Sequence, residues 1–418
     1  MENQRNWAGN YTYGAAELLV PESVEEAREQ VARSSRIKAL GSRHSFNGIA
    51  DTAGSLISLE KLNRILRLDA ERRTVTVEGG IRYGDLARKL HEAGFALHNL
   101  ASLPHISVAG AVATATHGSG ERHGNLATAV RELELIAADG SLQRLSREDA
   151  EFEGAVVGLG GLGVIASLTL DIVPAFEMSQ RVYEGLPPER LEADFDKIAS
   201  AAYSVSLFTD WTSSAINQVW VKHRVGDPET RDPAEPFHGA QPAAEPRHPV
   251  PGLSGEMCSG QLGAVGPWHE RLPHFRMDFT PSAGEELQTE YFVPRERALE
   301  ALQALGGLRE RIAPLLFVSE IRTIAADELW MSPCHGRDSV GIHFTWKPLG
   351  EPVARLLPDI EAALRPFGAR PHWAKLFAMA PEELRGHYER LADFQQLLQR
   401  LDPERKFANA LLERYVYG

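Results

Sequence analysis

The chain has 418 residues, about the length of two or three domains. With 43% hydrophobic and 24% charged residues it has the composition of a folded protein, which excludes a largely disordered chain. The 44 Lys and Arg side chains against 57 Asp and Glu give a net charge of −13, so we expect small molecules as partners and no nucleic acid or anionic membrane.

The cysteine content and the N-terminal residues both favour the cytoplasm. Cys258 and Cys334 are too few for a disulfide framework or a four-cysteine zinc site, which favours a reducing compartment. The first residues lack the basic and then apolar pattern of a secretory signal. The longest mostly apolar stretch, 155–166, is interrupted by glycines and is shorter than the roughly 20 residues that span a bilayer. We therefore expect a cytoplasmic protein without a membrane partner.

The first 174 residues predict an α+β arrangement of short strands and helices. Ser23 followed by Glu26 forms a capping box, which predicts a helix that runs from there to about Ser35. Asp139-Gly140 predicts a tight turn after a strand at 132–136. Apolar residues that alternate with polar ones, or form short runs ended by glycine, predict further strands at 36–40, 56–59, 74–77 and 168–172. A helix is predicted at 83–93 and ends at Gly94.

After Pro174 the pattern changes to longer strands and one long loop. Seven prolines between residues 225 and 256 predict a surface excursion or a lid. The predicted elements are strands at 205–208, 218–221, 287–293, 315–324, 340–346 and 373–377, with a helix from about Arg295. We predict a second domain over 175–375, while the helical residues 376–418 return to residues 1–174 to complete a discontinuous first domain.

One familiar motif is present in the wrong context. Gly158-Leu-Gly160-Gly-Leu-Gly163 matches the G-x-G-x-x-G fingerprint of dinucleotide-binding folds. That fingerprint needs a helix after the glycines, whereas the alternating, β-branched residues 164–170 predict a strand. We therefore do not expect a Rossmann nicotinamide site.

Two other stretches favour a cofactor site. A tight turn of small polar residues follows the predicted strand at 36–40, in Leu40-Gly-Ser-Arg-His44-Ser-Phe-Asn47, and successive backbone N–H groups in such a turn are able to bind a pyrophosphate. The stretch 102–119 places hydroxyl groups at 107, 114, 116 and 119 among glycines and alanines. Each stretch alone is equally typical of an ordinary glycine-rich turn, but the two together are more specific.

These stretches, with Gly161-Leu-Gly-Val-Ile165, resemble the vanillyl-alcohol-oxidase-type FAD flavoproteins, and the alditol oxidases are the branch that the middle residues resemble most. The resemblance covers the whole chain, including the motifs Trp7-Ala-Gly-Asn10, Trp268–Phe275, Glu320-Ile-Arg322 and Arg370–Lys375. It implies an α+β fold in which both chain ends form an FAD-binding domain of the vanillyl-alcohol-oxidase/PCMH type. It also implies a substrate domain with an antiparallel sheet covered by helices.

The resemblance further implies that FAD is bound covalently through the ring of His44. A turn histidine bonded only to backbone is the alternative that the residue by itself would favour. The implied cofactor-contacting residues are Gly41, Ser42, Arg43, His44, Ser45, Phe46, Asn47, Ser102, Ser107, Gly110, Thr114, Thr116, His117, Gly118, Ile165 and His372.

The candidate catalytic residues lie two apart on predicted strands. Glu320 and Arg322 share one face, as do His343 and Thr345. A carboxylate accepts hydrogen bonds from sugar hydroxyls, while guanidinium, imidazole and hydroxyl groups donate to them. An ion pair on a solvated face is the alternative for Glu320 and Arg322. By the resemblance, this pattern predicts a site that binds an alditol, with xylitol or sorbitol as substrate.

Two more candidates complete the predicted site. By the resemblance, Ser102 contacts the substrate beside the flavin, and Lys375 places a cation near the flavin edge that gains charge on reduction. A loop-capping hydroxyl and a surface lysine are the alternatives. The resemblance implies O2 as the second substrate and hydrogen peroxide as a product, and we expect a monomer.

Three alternatives remain open at this point. An aldonolactone oxidase or dehydrogenase shares the fold and cofactor but takes a ring substrate. A carbohydrate-binding protein without activity is suggested by seven tryptophans, although their scatter is typical of core packing. The histidines at 98, 105, 117 and 123 invite a metal site, but no H-x-x-x-H or Cys/His pattern supports one, and we expect none.

Ala115 departs from the family pattern, in which glycine is common before Thr-His-Gly. Alanine adds one methyl group and is tolerated unless its backbone φ is positive.

Overall fold

The computed structural model describes residues 5–227, 235–279 and 285–418. Its helices, in chain order, are α1 (Val24–Arg33), α2 (Tyr83–Glu92), α3 (Val108–Ala113), α4 (Phe152–Val156), α5 (Pro188–Ala199), α6 (Ala298–Gly306), α7 (Arg309–Ile312), α8 (Gly350–Leu364), α9 (Pro381–Gly386), α10 (Leu391–Leu401) and α11 (Ala410–Leu412). In these ranges no helix is both long and apolar enough to cross a membrane.

The strands are mostly short in the first half of the chain and longer in the second. In chain order they are β1 (Glu17–Leu19), β2 (Ile37–Ala39), β3 (Ser55–Ile57), β4 (Ile65–Asp69), β5 (Thr74–Glu78), β6 (Phe95–Ala96), β7 (Val130–Ile136), β8 (Leu142–Ser146), β9 (Val164–Asp171), β10 (Val173–Pro174), β11 (Glu177–Leu186), β12 (Ser204–Thr209), β13 (Ile216–Arg224), β14 (Gln241–Pro242), β15 (Gly266–Pro267), β16 (Leu287–Pro294), β17 (Leu316–Ile324), β18 (Ser339–Trp346) and β19 (Arg370–Pro371).

The structure confirms the predicted helix cap at Ser23 and the predicted turn at Asp139-Gly140. The Ser23 side chain accepts a hydrogen bond from the backbone N–H of Glu26 and caps α1, as the capping box predicts. The strands β7 and β8 form an antiparallel hairpin, and Gly140 in its turn has a φ of 83°. These residues form their elements because caps and turns depend on neighbours only a few residues away.

Two sheets organise the first part of the chain. The strands β1, β3 and β2 form a parallel sheet in that order, and β4, β5, β9, β7 and β8 form an antiparallel sheet. The glycine-rich turn at 158–163 leads directly into β9, whose residues alternate between buried and half-buried. The prediction that this G-x-G-x-x-G match does not open a Rossmann helix is therefore confirmed.

An antiparallel sheet of nine strands dominates the middle of the chain. Its order is β14, β11, β13, β12, β17, β18, β16 and β19, and β15 pairs with β11 at the side. The two long strands that carry the predicted substrate residues are neighbours, with Glu320 opposite His343 in the register. Residues that are 23 apart in sequence are therefore placed side by side.

The two faces of this sheet contact different parts of the molecule. Alternate residues of β16, β17 and β18, such as Tyr291, Ile321 and Phe344, are fully buried against apolar side chains of α5, α6 and α8. The residues between them, which include Glu290 and Glu320, face a cavity on the other side of the sheet. The helices thus cover one face, and the other is left for a ligand. The expected α+β fold, with an antiparallel sheet covered by helices, is confirmed.

The predicted strand at 373–377 is wrong. The strand pairing in this region is limited to Arg370–Pro371, and residues 373–377 form a turn and an irregular segment. The carbonyl of Ala374 accepts from the N–H of Phe46, and Asn47 Nδ2 donates to the carbonyls of Trp373 and Lys375. These backbone groups therefore bind the His44 turn and are not free to extend the sheet.

The C-terminal helices pack against the first part of the chain. One hydrophobic cluster contains Leu86 of α2, Leu168 of β9, Leu384 of α9 and Phe394 of α10, all fully buried. Trp268, from the middle of the chain, belongs to the same cluster. The domain boundaries at 174 and 375 stay a prediction.

Candidate active site

A cavity of about 740 Å³ lies between the nine-stranded sheet and the glycine-rich segments of the first part of the chain. This volume is within the range of about 300–1,000 Å³ of small-molecule and cofactor sites. The predicted residues that line it are Gly41, Ser42, Arg43, His44, Ser45, Phe46, Ser102, Ser107, Gly110, Thr114, Thr116, His117, Ile165, Glu320, Arg322, His343, Thr345, His372 and Lys375.

Two predicted cofactor residues, Asn47 and Gly118, lie outside this lining. The side chain of Asn47 caps the short 3-10 helix Gly48–Ala50 and binds the segment at 373–375. A Cβ on Gly118 would lie 2.4 Å from the carbonyl oxygen of Leu100, so glycine is needed there for close packing. Both residues support the cavity wall without reaching its surface.

The turn around His44 is closed by small residues. A Cβ on Gly41 would lie 2.7 Å from Ser107 Oγ, and one on Gly110 would lie 2.8 Å from the same atom. The N–H of Ser107 donates to Ser42 Oγ over 3.1 Å. The two glycines therefore let the turn and the start of α3 approach so closely that backbone, rather than side chains, forms this wall.

His44 is held in place and kept neutral. Its Nδ1 lies 3.1 Å from Ser42 Oγ, and its ring stacks on that of Trp7 with 5.2 Å between centroids. Burial lowers the pKa of His44 to about 4. Its other nitrogen, Nε2, is buried and has no hydrogen-bond partner among the described residues. The cavity wall therefore carries an unprotonated imidazole with one nitrogen unused.

Glu290 is the centre of the charged end of the cavity, and no sequence prediction included it. Its Oε1 accepts from Arg322 Nη2 over 2.6 Å and lies 3.2 Å from His117 Nε2. Its Oε2 accepts from Lys375 Nζ over 2.5 Å. Burial by itself would raise the pKa of Glu290, but Lys375 and Arg322 hold it well below its usual value. Glu290 is therefore an anion that positions two of the predicted catalytic cations.

The two other predicted strand residues are joined to this centre. His343 Nδ1 lies 2.7 Å from Lys375 Nζ, and His343 Nε2 lies 3.0 Å from Thr345 Oγ1. A protonated lysine only donates, so Nδ1 accepts and Nε2 donates to the threonine. Burial and then Lys375 lower the pKa of His343 to about 4, so this ring is neutral.

Ser102 and Glu320 lie on either side of Arg322. Arg322 Nη1 donates to Ser102 Oγ over 3.3 Å, and Arg322 Nε lies 3.6 Å from Glu320 Oε1. Burial would raise the pKa of Glu320, but Arg322 and His274 hold it well below its usual value. His274 is a second residue of this end that the sequence interpretation did not assign. The sequence did point to His274, because it lies in the motif at 268–275 that contributes to the family resemblance.

His117, Glu290 and His372 have their ligand atoms within 4.8 Å of one another, a spacing that suits a metal ion. Both oxygens of Glu290 already accept from cationic side chains, as described above. Those positive charges weigh against a metal ion in the same place. The expectation of no metal site stays a prediction.

Ala115, which stands where the family commonly has glycine, has a positive backbone φ, so the alanine is costly here. Its φ is 54°, in the left-handed region, and its side chain is buried. We expect Ala115→Gly to stabilise the protein by about 1 kcal/mol, because a side chain in this region costs roughly 1–2 kcal/mol. A higher Tm in thermal unfolding followed by circular dichroism is the expected result, and an unchanged or lower Tm would contradict it.

Two family models match separate parts of the chain. A family model described as an FAD binding domain matches residues 15–146, and one described as D-arabinono-1,4-lactone oxidase matches residues 283–415. The chain is 50% identical to an alditol oxidase of Streptomyces sp. over 416 residues, which cover 99% of each chain.

Other relatives are more distant. The chain is 30% identical to the L-gulonolactone oxidase of Bos taurus over 99% of this chain and 98% of the relative. It is 31% identical to the L-gulono-1,4-lactone dehydrogenase of Mycobacterium tuberculosis over 98% of each. The crystal structure of cholesterol oxidase from Brevibacterium sterolicum matches with a TM-score of 0.78 and 15% identity, covering 99% of this chain and 96% of that one. That likeness shows a shared fold.

Proposed function

The chain belongs to the alditol oxidase family, within the FAD flavoproteins of the vanillyl-alcohol-oxidase type, and from this premise we propose that it oxidises the terminal primary alcohol of acyclic polyols to the aldose. Xylitol and sorbitol are the proposed substrates. The proposed second substrate is O2, which takes up the two electrons and two protons of the alcohol and leaves as hydrogen peroxide. We propose a cytoplasmic monomer.

The residues of the cavity fit FAD. The family model for FAD binding covers the His44 turn and the segment at 102–119. Gly41 and Gly110 line the cavity without side chains, so a ligand is able to approach the backbone there, and His44 presents a neutral ring with an unpartnered nitrogen. When bound, FAD supplies the oxidising centre that accepts hydride from the alcohol carbon. We propose that His44 also holds it covalently.

The covalent link is tested by replacing His44. We expect FAD to remain with the polypeptide after acid precipitation of the unmutated protein, and His44→Ala to release it while the protein stays folded. The flavin absorbance of the pellet and of the supernatant measures how much FAD stays with the protein and how much is released. Ser42→Ala, which removes the neighbour of Nδ1 but keeps the ring, is the matched control and should retain bound flavin. Free FAD from the unmutated protein would contradict the proposal.

The chemistry of the charged end supports a polyol substrate. Glu320 and Arg322 face the cavity from one strand, and each is almost fully buried. A carboxylate and a guanidinium together match a linear polyol, which offers a donor and an acceptor at each carbon. Lys375 lines the same cavity and adds a cation for the charge that appears when the flavin accepts hydride. This pair of opposite charges at one end of the cavity is the observation that carries the proposal.

A lactone substrate is the second candidate. The match of residues 283–415 to the lactone oxidase model and the relatives at 30–31% identity favour it, whereas the 50% identity to an alditol oxidase favours a polyol. A peroxide assay against a panel of polyols and aldonolactones decides between them. We expect turnover of xylitol and sorbitol to exceed that of every lactone. Equal or faster turnover of lactones would overturn the polyol proposal.

A further inference from the structure

A buried lysine lies behind the ring of His274, on the side away from Glu320. Lys222, on β13, is 1% exposed, and its Nζ lies 3.1 Å from His274 Nδ1. The same Nζ donates to the carbonyls of Leu272 over 2.5 Å and Pro273 over 3.2 Å. The three acceptors use the three protons of one ammonium group.

This contact decides which ring nitrogen of His274 carries the proton. Burial lowers the pKa of Lys222 to about 7, so below that pH the side chain is an ammonium group, which only donates. Nδ1 then accepts, and the proton of the neutral ring sits on Nε2. His274 Nε2 lies 2.7 Å from Glu320 Oε1 and therefore donates to that carboxylate. Burial, with a smaller contribution from Lys222 and against the opposing effect of Glu320, lowers the pKa of His274 to about 4.

The charged and titratable groups around this pair are few. Arg322 also lowers the pKa of His274, and Cys258 faces Lys222. Burial raises the pKa of the Cys258 thiol to about 12, so it stays neutral. The rings of Trp220 and Phe208 pack edge to face with His274, with centroids 5.1 and 5.5 Å away. Both members of the pair are therefore buried.

A buried ammonium group without a carboxylate partner is costly to retain, so its presence here calls for a reason. Glu320 Oε1 is occupied by His274, and among the described residues no partner is found for Oε2. We propose that Lys222 and His274 form a positioning pair, in which Lys222 fixes the tautomer of His274 so that His274 holds Glu320 with Oε2 turned to the substrate. This inference rests on the proposed role of Glu320 in binding polyol hydroxyls.

The functional test replaces Lys222 in the flavin-loaded protein. Lys222→Met keeps the length of the side chain but removes the donor to Nδ1, so His274 loses the contact that fixes its tautomer and no longer holds Glu320 in place. The unmutated protein has this ammonium donor at pH 6 and has largely lost its charge at pH 8, because the pKa of Lys222 is about 7. We expect KM for xylitol to rise about tenfold at pH 6, the effect of one lost hydrogen bond to a charged group, and clearly less at pH 8.

A second variant shows whether Lys222 acts through His274. Glutamine at 274 still donates to Glu320 but does not titrate, so His274→Gln should raise KM less than His274→Ala does. In the His274→Gln background, Lys222→Met should add no pH dependence. Lys197→Met removes an exposed lysine that pairs with Asp194 and is the matched control. Flavin content and Tm of each variant are measured alongside.

A spectroscopic readout needs no substrate. In protein labelled with ¹⁵N-histidine, the His274 signals, assigned by their loss in His274→Gln, should show a proton on Nε2 at pH 6, and Lys222→Met should shift part of them toward the tautomer with the proton on Nδ1. A proton on Nδ1, or an increase in KM that is the same at pH 6 and pH 8, would overturn the inference. If the panel shows a lactone oxidase instead, the polyol proposal fails, while the tautomer measurement still decides on the pair.

Discussion

Lys375→Met should lower the rate of flavin reduction by xylitol by about 10²–10³, the usual effect of losing one charge contact to a transition state. Lys375 Nζ is fixed by Glu290 on one side and by His343 on the other, so the cation is held ready at the cavity surface. KM should change less than the reduction rate, because the contact strengthens as charge develops. Anaerobic stopped-flow absorbance measures both.

The same variant should acquire a new pH dependence. Lys375 is one of the groups that keep the pKa of His343 near 4, with burial as the larger cause, and without the lysine that pKa should rise. A rising reduction rate with falling pH is therefore expected in Lys375→Met, at a pH where the unmutated protein is insensitive, because a protonated His343 returns a cation beside the position of the lost lysine. Lys375→Arg keeps a cation and is the matched control. An unchanged reduction rate in Lys375→Met would place the lysine outside the reaction.

Elements with local signals were predictable from the sequence. Ser23 and Glu26 marked the start of α1, and Asp139-Gly140 marked the β7–β8 turn. The strand predicted at 373–377 failed because the carbonyls of residues 373–375 accept from Phe46 and Asn47, more than 300 residues away. Nothing in the local pattern distinguishes a segment that binds a distant turn from one that joins a sheet.

The site was predictable where residues alternate on a strand or belong to a recognisable motif. Glu290 was missed although Gln288 and Glu290 are two apart on a strand, the same spacing that identified Glu320 and Arg322. The residue between them is Thr289, whereas the apolar Ile321 separates Glu320 from Arg322. Lys222 was missed for a different reason. Its significance depends on His274, which is 52 positions away in the chain, and a single lysine in a strand gives no hint of its partner.

Glu320→Gln should greatly reduce kcat/KM for xylitol and sorbitol while flavin content stays the same. His274 Nε2–H donates to Oε1, so the glutamine should turn its carbonyl oxygen toward His274 and its NH2 toward the cavity. A donor then replaces an acceptor at the position where Glu320 Oε2 meets the substrate. An unsatisfied buried group costs about 1–3 kcal/mol, and more when charged, so we expect a loss of roughly 5- to 150-fold or more.

The loss of the Glu320 charge should not displace Arg322 and lower kcat/KM in that way, because Arg322 keeps its closer partner, Glu290. Arg322 Nη2 lies 2.6 Å from Glu290, whereas its Nε lies 3.6 Å from Glu320, so Arg322 should stay in position in the variant. Glu310→Gln, which removes one negative charge from the surface helix α7, is the matched control and should behave like the unmutated protein.

The length of the substrate separates a hydroxyl-binding role from a role in the chemistry of oxidation. A polyol engages Glu320 through hydroxyls beyond the reacting carbon, so the loss in Glu320→Gln should be large for xylitol and sorbitol. It should shrink for short 1,2-diols, which have fewer hydroxyls to misplace. Steady-state kcat/KM across this series measures the trend. An equal loss on every substrate would mean that Glu320 acts on the oxidation step or on folding, because a group that only binds distant hydroxyls cannot affect substrates that lack them.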